Sequence, residues 1–163
     1  MEAKQDSTES IPRDGGVLDG ARLLDDLVRV EVRLYTLLDA RLRAAHGHGL
    51  GRVDLLRAVD AVPRCRVSDL VRRLGITVGA ASKGVDRQVR DGLVRRQANP
   101  EDGRSSFLEL TPAGRQVLDE MLPTLDRETA EVLRGTGVPD GDLARLARIL
   151  AAVRGGLEAG SAR

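Results

Sequence analysis

From Asp19 to Ala45 apolar residues return every three or four positions, at Leu23, Leu27, Val30, Leu34, Leu38 and Leu42, with Arg and Asp between them. That period predicts one long amphipathic helix. The stretch "HGHGLG" interrupts it, and "RVDLLRAVDAV" then supplies Val53, Leu56 and Val59 for a second, shorter helix that Pro63 stops. Leu70, Val71 and Leu74 form a third short face, ended by Gly75 where a left-handed C-cap is expected. Thr77 is the expected N-cap of a fourth helix that runs to Asp91 and closes at Gly92. Two short helices joined by a glycine-containing turn are the signature of a helix-turn-helix.

The pattern then changes period. "LVRRQA" and "SFLELT" are β-type runs around a polar tip of Asn99, Pro100, Glu101, Asp102, Gly103 and Arg104, which predicts a hairpin. Thr111-Pro112 marks a helix start, a capping hydroxyl followed by proline at the first helical position. Val117, Leu118, Met121, Leu122, Leu125 and Val132 line that helix, and Pro123 within them predicts a kink or a break. Leu143, Leu146, Leu150, Val153 and Leu157 complete the chain as a narrow seam of the kind that meets other helices. These terminal stripes exceed what one helix-turn-helix needs to cover itself, so a two-fold homodimer is expected. The predicted fold is mainly α with a small β-hairpin wing: a winged helix-turn-helix with N- and C-terminal dimerisation helices. Residues 1–18 are polar and aperiodic, a flexible arm. Residues 19–48 form the first dimerisation helix, 49–111 the DNA-binding lobe and 112–163 the C-terminal dimerisation helices.

Composition narrows the chemistry. Hydrophobic residues are 41% of the chain, yet Tyr35 and Phe107 are its only aromatics, which favours Leu/Val/Ala helix packing over a β-sandwich. The lone cysteine, Cys65, excludes an intrachain disulfide, and no membrane span or signal-peptide pattern is present, so a cytoplasmic protein with no membrane partner is expected. Net charge is only +1, but Arg52 to Arg104 hold twelve Lys or Arg against seven Asp or Glu, so the middle is basic and the remainder acidic. Such an asymmetry suggests a polyanion as partner, a solvated arginine-rich surface being the alternative.

The motif residues sharpen this. "DGRSSFLELTPAGR", with Asp102, Arg104, Leu110, Thr111, Pro112 and Gly114, resembles the wing-to-helix pattern of the MarR family of bacterial transcriptional regulators. "SKGVDRQVRDGLVRR" resembles the end of that family's recognition helix and the strand after it, through Lys83, Asp86, Arg87, Gly92, Leu93 and Val94. The chain departs from the pattern at Gln88, where the family has a core Leu, and at Arg66, where a Thr or Ser cap is usual. Gly79 and Gly84 inside the helix each cost about 1 kcal/mol of propensity.

The resemblance implies a dimeric regulator of pseudo-palindromic operators, a repressor or, in some members, an activator, modulated by a small-molecule effector. Near the start of the recognition helix Thr77, Val78, Gly79, Ser82 and Lys83 are the candidate DNA-binding residues, with Arg87 one turn on. Small or hydrogen-bonding side chains allow the close approach that a groove requires. Arg104 at the wing tip is assigned to the minor groove of double-stranded DNA, held extended by Asp102. Arg72 and Arg73 are expected to help position the module, but Arg72, Arg73, Arg95 and Arg96 fit solvated charges equally well, and Asp86 and Arg87 fit an internal ion pair. An apolar effector cavity is expected around Tyr35, with no ligand residues assigned.

Other readings were weighed against these. Cys65 stands between Arg64 and Arg66, whose charge lowers a thiol pKa, so a thiol-based redox regulator is one alternative and a packed turn cysteine the plainer one. His46 and His48 lack a clear third ligand and fit a loop better than a metal site. A winged-helix protein–protein module without specific DNA binding is the second alternative. No P-loop, HExxH, paired acids or Ser/His/Asp set is present, so neither an enzyme nor a cofactor is expected.

Overall fold

The computed structural model describes residues 18–100 and 105–160. The elements run α1 (Gly20–His46), α2 (Leu50–Ala61), α3 (Val67–Leu74), α4 (Val78–Arg90), β1 (Val94–Ala98), β2 (Ser106–Leu110), α5 (Pro112–Arg134) and α6 (Asp140–Gly160). The proposed flexible arm falls, up to residue 17, outside the described residues.

Capping residues set the boundaries. Asp19 accepts the Arg22 N–H at 3.0 Å to open α1, and Gly47, at φ 70°, closes it in the left-handed conformation. Gly75 does the same for α3, with φ 64° and its N–H on the Val71 carbonyl. Thr77 caps α4 through Ala80 N–H, and Thr111 caps α5 through Gly114 N–H. The start of α2 is capped from a distance: Asp39, on α1, accepts the Leu50 N–H at 2.8 Å. Arg43, bonded to the same carboxylate, holds Asp39 below the usual carboxylate range.

The core gathers around α2, which buries Leu50, Val53, Leu55, Leu56, Ala58 and Val59. Leu38 and Leu42 reach it from α1, Leu70 from α3, Ala81 and Val85 from α4, and Leu118, Met121 and Leu125 from α5. Strands β1 and β2 pair antiparallel from Val94↔Leu110 to Ala98↔Ser106. Cys65 adds one further bridge to the outer side of β2, its carbonyl accepting the Leu108 N–H at 2.7 Å.

Of the kink or break expected at Pro123, the break does not occur, since α5 is continuous from Pro112 to Arg134. Pro123 is exposed and so is Asp119, whose carbonyl loses its partner, so water can take up the acceptor that the missing N–H leaves.

Where the wing ends, the chain is joined tightly. Thr111 donates its N–H to the Leu93 carbonyl at 3.0 Å and its hydroxyl to the Gly92 carbonyl at 2.7 Å. Gly114, one turn into α5, packs so closely that a Cβ there would overlap the Leu93 carbonyl.

Two surfaces are left uncovered. The first half of α1 exposes Leu23, Leu24, Leu27, Val28 and Val30, and α6 has no buried residue at all. Among the described residues no helix is long and apolar enough to cross a membrane.

Gly114→Ala is expected to destabilise the fold by about 1–3 kcal/mol, because the strand end or α5 must move to admit the methyl. Urea denaturation of the purified variant measures it, and an unchanged midpoint would mean that this contact is not tight.

Candidate nucleic-acid interface

Helix α4 has one face in the core and one in solvent. Ala81, Val85 and Gln88 are buried, whereas Thr77, Val78, Gly79, Ala80, Lys83 and Arg87 are exposed and Ser82 is half-buried. All six candidates from the sequence therefore lie at or near one accessible surface. Lys83 and Arg87 form no ion pair among the described residues, so their charge is available there. The two helix glycines separate in role. A Cβ at Gly84 would press on Leu55 of α2, while Gly79 faces open space.

Neighbouring charges fix how α4 sits. Arg52, at the start of α2, is ion-paired with Asp91, the C-cap of α4. Asp86 is bound by Arg96 of β1 at 2.8 Å, and Arg96 also donates to Ser106 of β2 at 3.2 Å. The ion pair considered for Asp86 and Arg87 is therefore replaced by one that crosses from helix to wing. Arg95 likewise pairs with Glu109, so neither strand arginine is merely solvated. Sequence reasoning missed these ties, and the strand register that brings Glu109 opposite Arg95 was the signal that would have found one of them.

On α3, burial opposes ionisation of Asp69, but the Arg66 N–H and the Arg72 guanidinium outweigh it and hold the carboxyl below its ordinary range. Asp69 thus supplies the capping half that Arg66 lacks. Gln88 is buried like the leucine it replaces, and its Oε1 finds no hydrogen-bond partner among the described residues. Asp102 and Arg104 lie outside the described residues.

The surroundings of Cys65 favour the packed turn cysteine over the redox reading. The side chain is fully buried, and burial together with the Asp69 charge pushes the thiol up to about 11, although Arg73 works the other way. Arg64 and Arg66 do not activate it, because both guanidinium groups lie over the Phe107 ring, 4.4 and 5.2 Å from its centre. His46 bonds Thr124 at 3.0 Å and His48 lies 3.3 Å from Arg52, so each ring is engaged within the fold.

A cavity of about 700 Å³ opens where α1, α2, α5 and α6 meet, lined by Leu38, Leu50, Arg57, Leu125, Leu133 and Arg134 among others. Tyr35, expected at its centre, is not in its wall.

Comparison with known proteins agrees with this geometry. Residues 48–105, which span α2 to α4 and the first wing strand, match the family model described as MarR family. The uncharacterized HTH-type transcriptional regulator YdgJ of Bacillus subtilis is 25% identical over 118 residues, covering 72% of this chain and 71% of its own length. Among solved structures, Sco3205 of Streptomyces coelicolor, a MarR family transcriptional regulator in complex with DNA, superposes with a TM-score of 0.70 at 24% identity, over 90% of this chain and 93% of its own. CouR of Rhodococcus jostii RHA1, bound to p-coumaroyl-CoA, gives 0.65 at 19% identity, over 83% and 92%.

A raised thiol pKa makes a specific demand on reactivity. At pH 8 Cys65 is expected to be alkylated by iodoacetamide at least about a hundredfold more slowly in the native protein than in urea. Equal rates would return the cysteine to the list of sensors.

Proposed function

We propose that the protein, whose residues 48–105 match the MarR family model, is a homodimeric, sequence-specific DNA-binding transcriptional regulator acting as a repressor. The exposed face of α4 is the observation that supports this most. It offers small residues for close approach and two unpaired cations beside them. In this reading α4 enters the major groove by its N-terminal turns. Thr77 and Ser82 bond phosphate, Val78 meets a thymine methyl, and Gly79 lets the helix backbone draw close. Lys83 reaches phosphate or guanine, and Arg87 reaches phosphate. Arg104, steadied by Asp102, enters the adjacent minor groove from the wing.

The dimer follows from packing. A 21-residue helix with no buried side chain gains little from burial within its own chain, and α1 leaves a second apolar stripe uncovered. Joining α1 and α6 of two copies covers both and sets two α4 helices one DNA turn apart, about 34 Å, on a pseudo-palindrome. Occupying two successive major grooves of a promoter obstructs transcription, hence repression. The cavity between the terminal helices and the lobe supports an effector that is largely apolar, with an anionic group near Arg57.

Binding to the duplex beside its own gene and to a scrambled duplex, across a salt series, tests the reading. Lys83→Ala is expected to weaken binding about tenfold, equally for both duplexes if Lys83 meets only phosphate. Arg104→Ala is expected to weaken binding and to relax preference for A·T pairs at the flanks. Unchanged affinity in both variants would exclude this docking. Sedimentation should give twice the chain mass, and Leu150→Glu should shift it towards monomer; a monomeric wild type would remove the two-fold arrangement.

A further inference from the structure

The short link between α1 and α2 holds a contact that only one form of its residue allows. His48 follows Gly47, which closes α1 in the left-handed conformation, and precedes Gly49, which is buried where α2 begins. Its Nε2 stands 3.3 Å from Nη1 of Arg52, in the first turn of α2. A guanidinium donates hydrogen bonds and accepts none, so Nε2 is the bare, accepting nitrogen and the ring is neutral in this arrangement. Nη2 of the same guanidinium is ion-paired with Asp91, the C-cap of α4. The Arg52 side chain is only 14% exposed, so salt screens this charge poorly. From α1 the charged residues at the link are Asp39 and Arg43, which bind each other while Asp39 also accepts the Leu50 N–H. His46 is turned away to Thr124 of α5.

We infer that His48 is a positioning residue for α4: unprotonated, it holds Arg52 on Asp91, and protonated, it gives up that hold and weakens the grip of α4 on DNA. A proton on Nε2 sets an N–H against the N–H of the guanidinium, so a hydrogen bond becomes a repulsion between two cations. Histidine is the side chain that ordinarily takes up its proton between about pH 5 and 8, so the change falls within reach of mild acid. The effect has a path to the DNA-facing surface. Asp91 stands immediately before Gly92 and Leu93, whose carbonyls Thr111 binds, so displacement of Arg52 is felt at the end of α4 and at the root of the wing together. A helix that must meet base edges needs its supports held in place. The inference rests on the DNA-binding reading above and adds control of that same face by acidity.

The test measures binding to the duplex beside the protein's own gene and to its scrambled control, from about pH 8 to about pH 5.5 at constant ionic strength. Acid adds positive charge to a protein and by itself strengthens its hold on phosphates, so a fall in affinity runs against the general trend. The wild type should lose about tenfold over this range. His48→Gln keeps an acceptor for Arg52 but cannot take a proton there, and its affinities at the two ends should differ by less than about twofold. His46→Gln removes the other histidine and should keep the wild-type fall. Wild-type affinity that is flat or rises in acid would overturn the inference and leave the regulator intact. So would a His48→Gln variant that lowers the thermal midpoint but keeps the wild-type pH profile, the mark of a ring that only packs. A wild type that binds neither duplex at low salt at any pH would instead overturn the regulator and the inference together.

Discussion

The close approach of α5 to the end of α4 is the constraint on which the other parts depend. Thr111 binds two consecutive carbonyls, of Gly92 and Leu93, and Gly114 lets the helix lie against the second. Within a few residues this junction joins the C-terminal end of α4, both wing strands and the first turn of α5. Rotation of α5 is thereby coupled to rotation of α4. A 23-residue helix held at its first turn is a lever, and the junction is where it is fixed.

Ion pairs complete that fixing and change how the charge of the central segment is understood. Its excess of arginine reads, from composition, as a field directed at a polyanion. In the folded chain Arg52, Arg72, Arg95 and Arg96 are matched with Asp91, Asp69, Glu109 and Asp86, joining α2 to α4, α3 to itself, and α4 to the wing. Such exposed pairs contribute little each, about 0–1 kcal/mol, but they remove these cations from the count available to a ligand. Lys83 and Arg87 then matter more than the sum of charges suggests.

Local chemistry made most of the fold legible in the sequence. Asp19 apart, the capping residues Gly75, Thr77 and Thr111 were recognisable because each acts within three or four residues of itself, and the helix faces because their period is local too. Long-range contacts were not legible. That Asp39 caps α2, that Arg96 binds Asp86, and that Arg64 and Arg66 turn to Phe107 instead of the thiol between them depend on tertiary approach. Pro123 does not end α5 for a related reason: the rule against proline inside a helix assumes a buried or needed carbonyl four residues earlier, and Asp119 is exposed. On α4 the glutamine at position 88 keeps its buried place, although its Oε1 has no hydrogen-bond partner among the described residues.

The uncovered terminal helices have a consequence for the life of the chain in a cell. A helix such as α6, with no fully buried side chain, frays readily when alone and then presents extended backbone to proteases. In the proposed dimer the apolar residues of α1 and α6 are covered, and wherever copies are scarce they are exposed again. Turnover would then rise as abundance falls, giving a protein of this shape a sharp threshold between absence and persistence, without any further component.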